Sequence, residues 1–165
     1  MSDNLKGVFN SPLEAGLRCL IVLNSGYPNS YDLGRLVFYD YMLVHSGDVE
    51  GGPVSLHPAT PHRSGEVLIR RPVLESGLQL LVSRGLITVM YKEDGIYYSA
   101  SEFSSPFIDS LSSNYVCELE SKSHWLVDTF DSYSLKSIQD MVNSNLENWG
   151  GEFVSESILR GSISL

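Results

Sequence analysis

GLITVMYKEDGIYYSA, residues 85–100, decides the fold class. Ile87, Thr88, Val89 and Tyr91 are β-branched or aromatic, which suits a pleated, half-buried strand over Leu86–Lys92. Glu93-Asp94-Gly95 supplies turn chemistry, and Ile96–Ala100 answers as a second strand. The pair reads as a β-hairpin over 86–100. Working outward, PVLESGLQLLVSR at 72–84 places Leu74, Leu78, Leu81 and Val82 at helical spacing, with Pro72 suited to a first turn. Gly85 then suits the left-handed residue that ends a helix.

Two helices are expected upstream. Ser11-Pro12-Leu13-Glu14 has the pattern of a capping box with proline at the first helical position, and Leu13, Leu17, Leu20 and Ile21 follow as a stripe. Asp32 is a good cap for LGRLVFYDYMLVH, which is apolar or aromatic at almost every position. Such a helix lies in the centre of a core or under a partner. Leu36, Val37 and Leu43 are expected inside. Phe38, Tyr39, Tyr41 and Met42 exceed what one helix is expected to bury, so some should pack under a loop or form an exposed patch. Asp40 is this helix's one acid: it is either solvated at an edge or buried with a partner such as a nearby arginine.

Between these helices and the hairpin helix lies PVSLHPATPHRSGEVLIRR, residues 53–71. A connection of about twenty residues is long where ~4–6 is usual, and loops of that kind tend to carry function. Val54, Leu56, Val67, Leu68 and Ile69 give it apolar anchors, so an ordered binding loop over 46–66 is expected. Arg71 precedes proline, which biases it away from helical geometry. Downstream, Ser105-Pro106 opens a short helical turn. Val116, Leu119, Leu126 and Phe130 mark a longer helix, and Leu135, Ile138, Val142, Leu146 and Trp149 another, ended by Gly150-Gly151. One domain over 1–165 is expected, with a helical core at 10–100 and acidic helices and a tail at 101–165. The fold class is α+β, mainly helical with one β-hairpin, and helix, glycine, hairpin is the order of a winged-helix-like domain.

Charge bounds the partners. The chain holds 20 acidic and 11 basic residues, for a net charge of −9. Residues 1–92 hold as many acids as bases, so 93–165 carries the whole excess. A surface that binds nucleic acid non-specifically is basic, so DNA contact is expected only through a complex. No apolar run approaches the ~18–20 residues of a membrane span. The start MSDNLKGVF does not resemble an export signal, so a cytoplasmic location with Cys19 and Cys117 as buried thiols is expected.

Catalytic signatures are missing: the chain has no GxxxxGK[ST], GxSxG, HExxH, CxxC or glycine-rich dinucleotide pattern. His57 and His62 either ligate a metal with a carboxylate or fix the turns at Pro58 and Pro61; the turn role is expected, with no metal and no cofactor. Ser64 beside His62 lacks an oriented acid for nucleophilic work. Arg63, Arg70 and Arg71 either clamp an anion bidentately or bridge to Glu66 or Asp40. The candidate partner-binding loop is therefore His57, Pro58, His62, Arg63, Ser64, Glu66, Arg70 and Arg71, with no catalytic residue assigned.

FNSPLEAGLR at 9–18, DLGRLVFYDYMLVHSGD at 32–48 and SLHPATPHRSGEVLIRRP at 55–72 together resemble the middle component of bacterial ABC-three-component systems. That family is akin to the small accessory subunit of Lamassu-type anti-phage defence. The likeness covers 8–100 and, more weakly, the GGEF…ESILRGS tail at 150–162. The resemblance implies an SMC- or ABC-like ATPase and a nuclease or protease effector as partners, with this chain a non-enzymatic coupler between them. The competing readings are a winged-helix DNA-binding regulator and a small enzyme using the histidines and arginines.

Overall fold

A computed structural model of the chain describes residues 11–58 and 63–149. Helix α1, Pro12–Ser25, begins with the first half of the expected capping box, the Ser11 hydroxyl accepting from the Glu14 amide at 3.2 Å, while among the described residues the Glu14 carboxylate makes no return bond to the Ser11 amide. Strand β1, Tyr31–Asp32, leads into α2, Leu33–Val44, whose first turn is capped by the Asp32 carboxylate accepting from the Arg35 amide at 2.7 Å. A 3-10 turn at Ser46–Asp48 follows. Then come α3, Arg63–Ser83, and the hairpin of β2, Ile87–Lys92, and β3, Gly95–Ala100. The chain continues through α4, Ser104–Asp109, α5, Asn114–Phe130, and α6, Leu135–Trp149.

The hairpin belongs to a three-stranded antiparallel sheet of order β1-β3-β2. Its register pairs Ile87 with Ala100 through Lys92 with Gly95, while Tyr31 faces Tyr98 and Asp32 faces Tyr97. The two residues of β1 escaped the sequence reading, since alternation has no meaning over so short a strand. Gly85 sits at φ +73, as its place after α3 requires.

Helix α2 is the centre of the molecule, packed against α1, α3, α5, α6 and the sheet. Leu36, Val37, Tyr39, Tyr41, Met42 and Leu43 are all buried, and Phe38 is half-buried against the same core. More of the helix is inside than its sequence suggested, because neighbours surround it and Tyr41 packs against His45, Arg70 and Asp48 of the 3-10 turn. Burying a leucine such as Leu36 contributes ~1.5–3 kcal/mol. Helices α1 and α3 cross at glycines: a Cβ on Gly77 would lie 2.3 Å from the Pro12 carbonyl oxygen and 2.6 Å from the Gly16 amide nitrogen.

Three expectations are corrected. The loop placed at 46–66 ends earlier, because α3 begins at Arg63. The helix expected to start at Pro72 instead runs through it, even though proline removes an intrahelical donor. Burial of Val67 and Arg70 on the same side of the helix as Leu74 holds the geometry against the local bias at Arg71. Cys19 is buried as expected, but Cys117 is exposed. His62, Gly150-Gly151 and the 150–162 tail lie outside the described residues.

Candidate functional site

A buried ionic cluster joins α1, α2 and α3. Arg18 of α1, Asp40 of α2 and Arg70 of α3 are 1%, 1% and 4% exposed. Arg18 donates from Nε to Asp40 Oδ1 at 2.6 Å and from Nη2 to Oδ2 at 3.3 Å. Arg70 donates from Nη1 to the same Oδ2. Burial by itself would raise the Asp40 carboxyl, yet Arg18 and Arg70 outweigh it and hold it below the usual carboxylate range. Burial likewise opposes the charge on Arg18, and Asp40 overcomes it. An acid in this place is stable only because charge-assisted hydrogen bonds take up both of its oxygens.

A second ring surrounds the cluster. The Arg70 guanidinium lies 5.7 Å from the centroid of the Tyr41 ring, and Tyr41 donates its hydroxyl to Asp48 at 3.0 Å. His45 tilts against Tyr41 at 5.0 Å and meets His57 edge-on at 6.2 Å. His57 Nε2 is 2.9 Å from the Tyr115 hydroxyl of α5, the two rings stacked at 12°. Burial pushes the His57 imidazole down to about 4, helped by Arg18, His45 and Arg70. His57 is therefore neutral at physiological pH, and its hydrogen bond to Tyr115 is one between uncharged groups. Glu14 reaches toward the same cluster. Burial raises its carboxyl, Arg18 opposes this, and its Oε2 is buried without a hydrogen-bond partner.

The chain after α2 is pinned onto this cluster. The amides of Leu56 and His57 both donate to the Val44 carbonyl at 3.0 Å. Ser46 Oγ donates to the Val54 carbonyl at 3.3 Å, the Gly47 amide donates to Ser55 Oγ at 2.9 Å, and Lys122 of α5 donates to the Val54 carbonyl. A separate cluster closes the far end of α5. Asp131 accepts from Tyr31 and Tyr39 at 2.7–3.0 Å and from Asn29 at 2.9 Å. Arg35 donates to the Phe130 and Tyr133 carbonyls, at 3.3 and 2.5 Å, and so ties α2 to the turn that follows α5.

The residues expected from sequence separate into distinct places. His57 and Arg70 meet at the cluster around Asp40. Pro58 is exposed beside it, and Arg63, Ser64 and Glu66 fall on the first turn of α3 rather than on a loop. Arg71 turns outward, lining an open groove with Glu75, Ile96 and Tyr98. Arg18, His45 and Tyr115 were not anticipated as members. Among the described residues no group of three His, Cys, Asp or Glu is placed to hold a metal ion. Nor is any helix among them long and apolar enough to cross a membrane. Chemically the arrangement is a clamp: it ties α1, α2, α3, α5 and the segment after α2 through hydrogen bonds inside one low-dielectric volume.

A family model described as "ABC-three component (ABC-3C) system Middle Component 2" matches residues 8–152. No curated protein and no solved structure matches the chain.

Proposed function

The chain belongs to the ABC-three component system Middle Component 2 family, and from that membership we propose that it is a non-catalytic accessory subunit of such a system. In this reading it couples an SMC- or ABC-like ATPase to an effector, a nuclease or protease, in a Lamassu-type anti-phage complex in the cytoplasm. It works without a cofactor and meets DNA only through the assembly. The observation that carries the reading is the family match across 8–152. The clamp around Asp40 supports it, since a coupling subunit needs a rigid body on which its contact surfaces keep their relative positions. The element order α1-β1-α2-α3-β2-β3 supports a winged-helix-like description of residues 12–100.

Of the residues expected at a partner contact, Arg70 is committed to Asp40. Pro58 and Arg71 face outward and stay within the proposed surface. The test is co-expression with the proteins encoded by neighbouring genes, with an affinity tag on this chain. A stable complex containing an ATPase and a further subunit is expected. If the ATPase and the effector associate fully while this chain elutes alone, the coupling role is wrong.

The winged-helix-like element order also favours a second reading, a DNA-binding regulator. Charge argues against it for the isolated chain: the net value is −9, and Glu93 and Asp94 sit in the turn between β2 and β3.

A further inference from the structure

We propose that the outer edge of β2 is a strand-addition site that takes an extended, neutral or basic segment of a partner subunit. The inference rests on the coupling role proposed above and deepens it.

The argument starts from hydrogen-bond parity. In an antiparallel pair, opposed residues alternate between those that exchange backbone bonds and those whose amides and carbonyls point away. The Ser101 amide donates to the Leu86 carbonyl at 3.1 Å, which makes Leu86 and Ser101 a bonded pair. The continuous register then makes Thr88 with Ser99, Met90 with Tyr97, and Lys92 with Gly95 bonded pairs too. Val89 and Tyr91 therefore direct their backbone groups away from β3. The sheet order leaves β2 at an edge, and among the described residues no backbone bond reaches these two from outside.

Open edges are usually blunted by proline, a bulge, an inward charge or a covering element. ITVMYK over 87–92 has no proline, and its register runs without a bulge. Its one charge, Lys92, turns back to Ser30 at 3.0 Å and lies over the Tyr97 ring at 4.1 Å. An independent observation marks the same place. Tyr91 and Ile96 are opposed on one face of the hairpin and are 81% and 48% exposed, an apolar pair extending the sheet face beyond the core. A strand laid along β2 would satisfy Val89 and Tyr91 and cover the Tyr91 ring, with its own side chains alternating between the two faces.

Charge selects the occupant. Two copies of a chain at −9 repel each other, and Glu93 and Asp94 occupy the turn beside the open edge. A neutral or basic segment from another subunit avoids that repulsion.

Val89→Pro is the discriminating substitution. It removes a donor that points outward, so the ladder to β3 is kept, and proline is tolerated at such edge positions. Tyr91→Lys places a charge at the edge without touching the backbone. Both variants, folded by circular dichroism, should bind the co-expressed neighbouring subunits roughly tenfold or more weakly, Val89→Pro by losing one or two net hydrogen bonds and Tyr91→Lys by losing the covered ring and setting a charge against the incoming strand. Amide exchange of the unmodified chain gives a readout that does not depend on the variants folding. Val89 and Tyr91 should exchange fast when free and slowly in the complex, with Thr88 and Met90 slow in both. Unchanged affinity in the folded variants, or edge amides that stay fast in a formed complex, overturns the strand addition and leaves the coupling role standing. A chain that dimerises alone and is made monomeric by Val89→Pro assigns the edge to a second copy and overturns the partner assignment. If no neighbouring subunit binds at all, the coupling role fails and this inference falls with it.

Discussion

Replacing Asp40 by asparagine tests the clamp most directly. The side chain keeps its shape and loses its charge, so Arg18 and Arg70, at 1% and 4% exposure, lose the buried carboxylate they share. Breaking a buried ion pair from one side costs ~3–5 kcal/mol, because the surviving charge is stranded. Against a typical total of ~5–15 kcal/mol, that removes a large share of stability. Arg70→Met should cost less, since Arg18 still holds Asp40 through both of its hydrogen bonds. The triple substitution Arg18→Met, Asp40→Leu, Arg70→Met should recover most of the loss, because well-packed apolar replacements of buried ion clusters are often neutral or stabilising by ~1–4 kcal/mol. Urea unfolding followed by Trp125 fluorescence and circular dichroism measures all three. The acid limb gives an independent check. Asp40 titrates below its ordinary value of 3.8 in the fold, so its contribution is complete above that value and is lost as pH falls through the folded pKa. The unmodified chain should therefore lose stability more steeply than Asp40→Asn at the acid end. An Asp40→Asn cost under ~1 kcal/mol, or a triple variant as unstable as the single one, would refute the picture of a dry, mutually dependent cluster.

Three further outcomes are expected. Gly77→Ala should destabilise by ~1–3 kcal/mol, since its Cβ would sit 2.3 Å from the Pro12 carbonyl oxygen, and the thermal midpoint should drop accordingly; an unchanged midpoint would mean α1 and α3 do not meet at these glycines. His57 titrates at about 4 in the fold against 6.5 unfolded, so its contribution is present above 6.5 and lost as pH falls toward 4. Discounted for partial solvent access, that loss is roughly 1–2 kcal/mol, and His57→Gln should flatten it in urea midpoints measured between those pH values. Isolated chain should bind duplex DNA more weakly than micromolar at physiological salt, because a chain at −9 releases few counterions; tight, salt-dependent retardation of a duplex would overturn this.

What was legible in sequence was local. Ser11 and Asp32 cap their helices by the chemistry their positions suggest, and the hairpin register follows from its short turn and β-rich flanks. Asp40 stood out as one acid in an apolar helix, and Arg70 was among the arginines offered to it. Arg18 was missed for a physical reason. The stripe Leu13, Leu17, Leu20, Ile21 implied one buried face, yet Leu13 is 62% exposed while Ala15, Gly16, Arg18 and Cys19 are buried. Helix α1 is apolar on more than one side, and the close approach of Gly16 to Gly77, a tertiary fact, selects the rotation. Pro72 misled in the opposite direction. Its local bias argued for a break at Arg71, but only a helix continuing through it presents Arg70 and Leu74 on one side toward the core.

The burial of α2 constrains where any partner can bind. A helix this apolar had two possible uses for its surplus surface, an exposed patch or additional neighbours inside the fold. Tyr39, Tyr41 and Met42 are all inside, and the hydroxyls of the two tyrosines are spent on Asp131 and Asp48. The centre of the molecule therefore has nothing left to offer another chain, and recognition falls to the rim. There exposed apolar side chains include Ile69 on α3, Tyr91 on β2 opposite Ile96 on β3, and Phe107 on α4. Such a division predicts two separable classes of substitution. Changes at Arg18, Asp40, Arg70 or Gly77 should alter stability and association together, because they move the frame. Changes at Arg71 or Tyr91 should alter association with little effect on stability, because exposed side chains outside a packed feature rarely shift it by more than ~0.5 kcal/mol. A rim substitution that unfolds the chain, or a clamp substitution that leaves stability intact while abolishing binding, would place the recognition surface in the interior network instead.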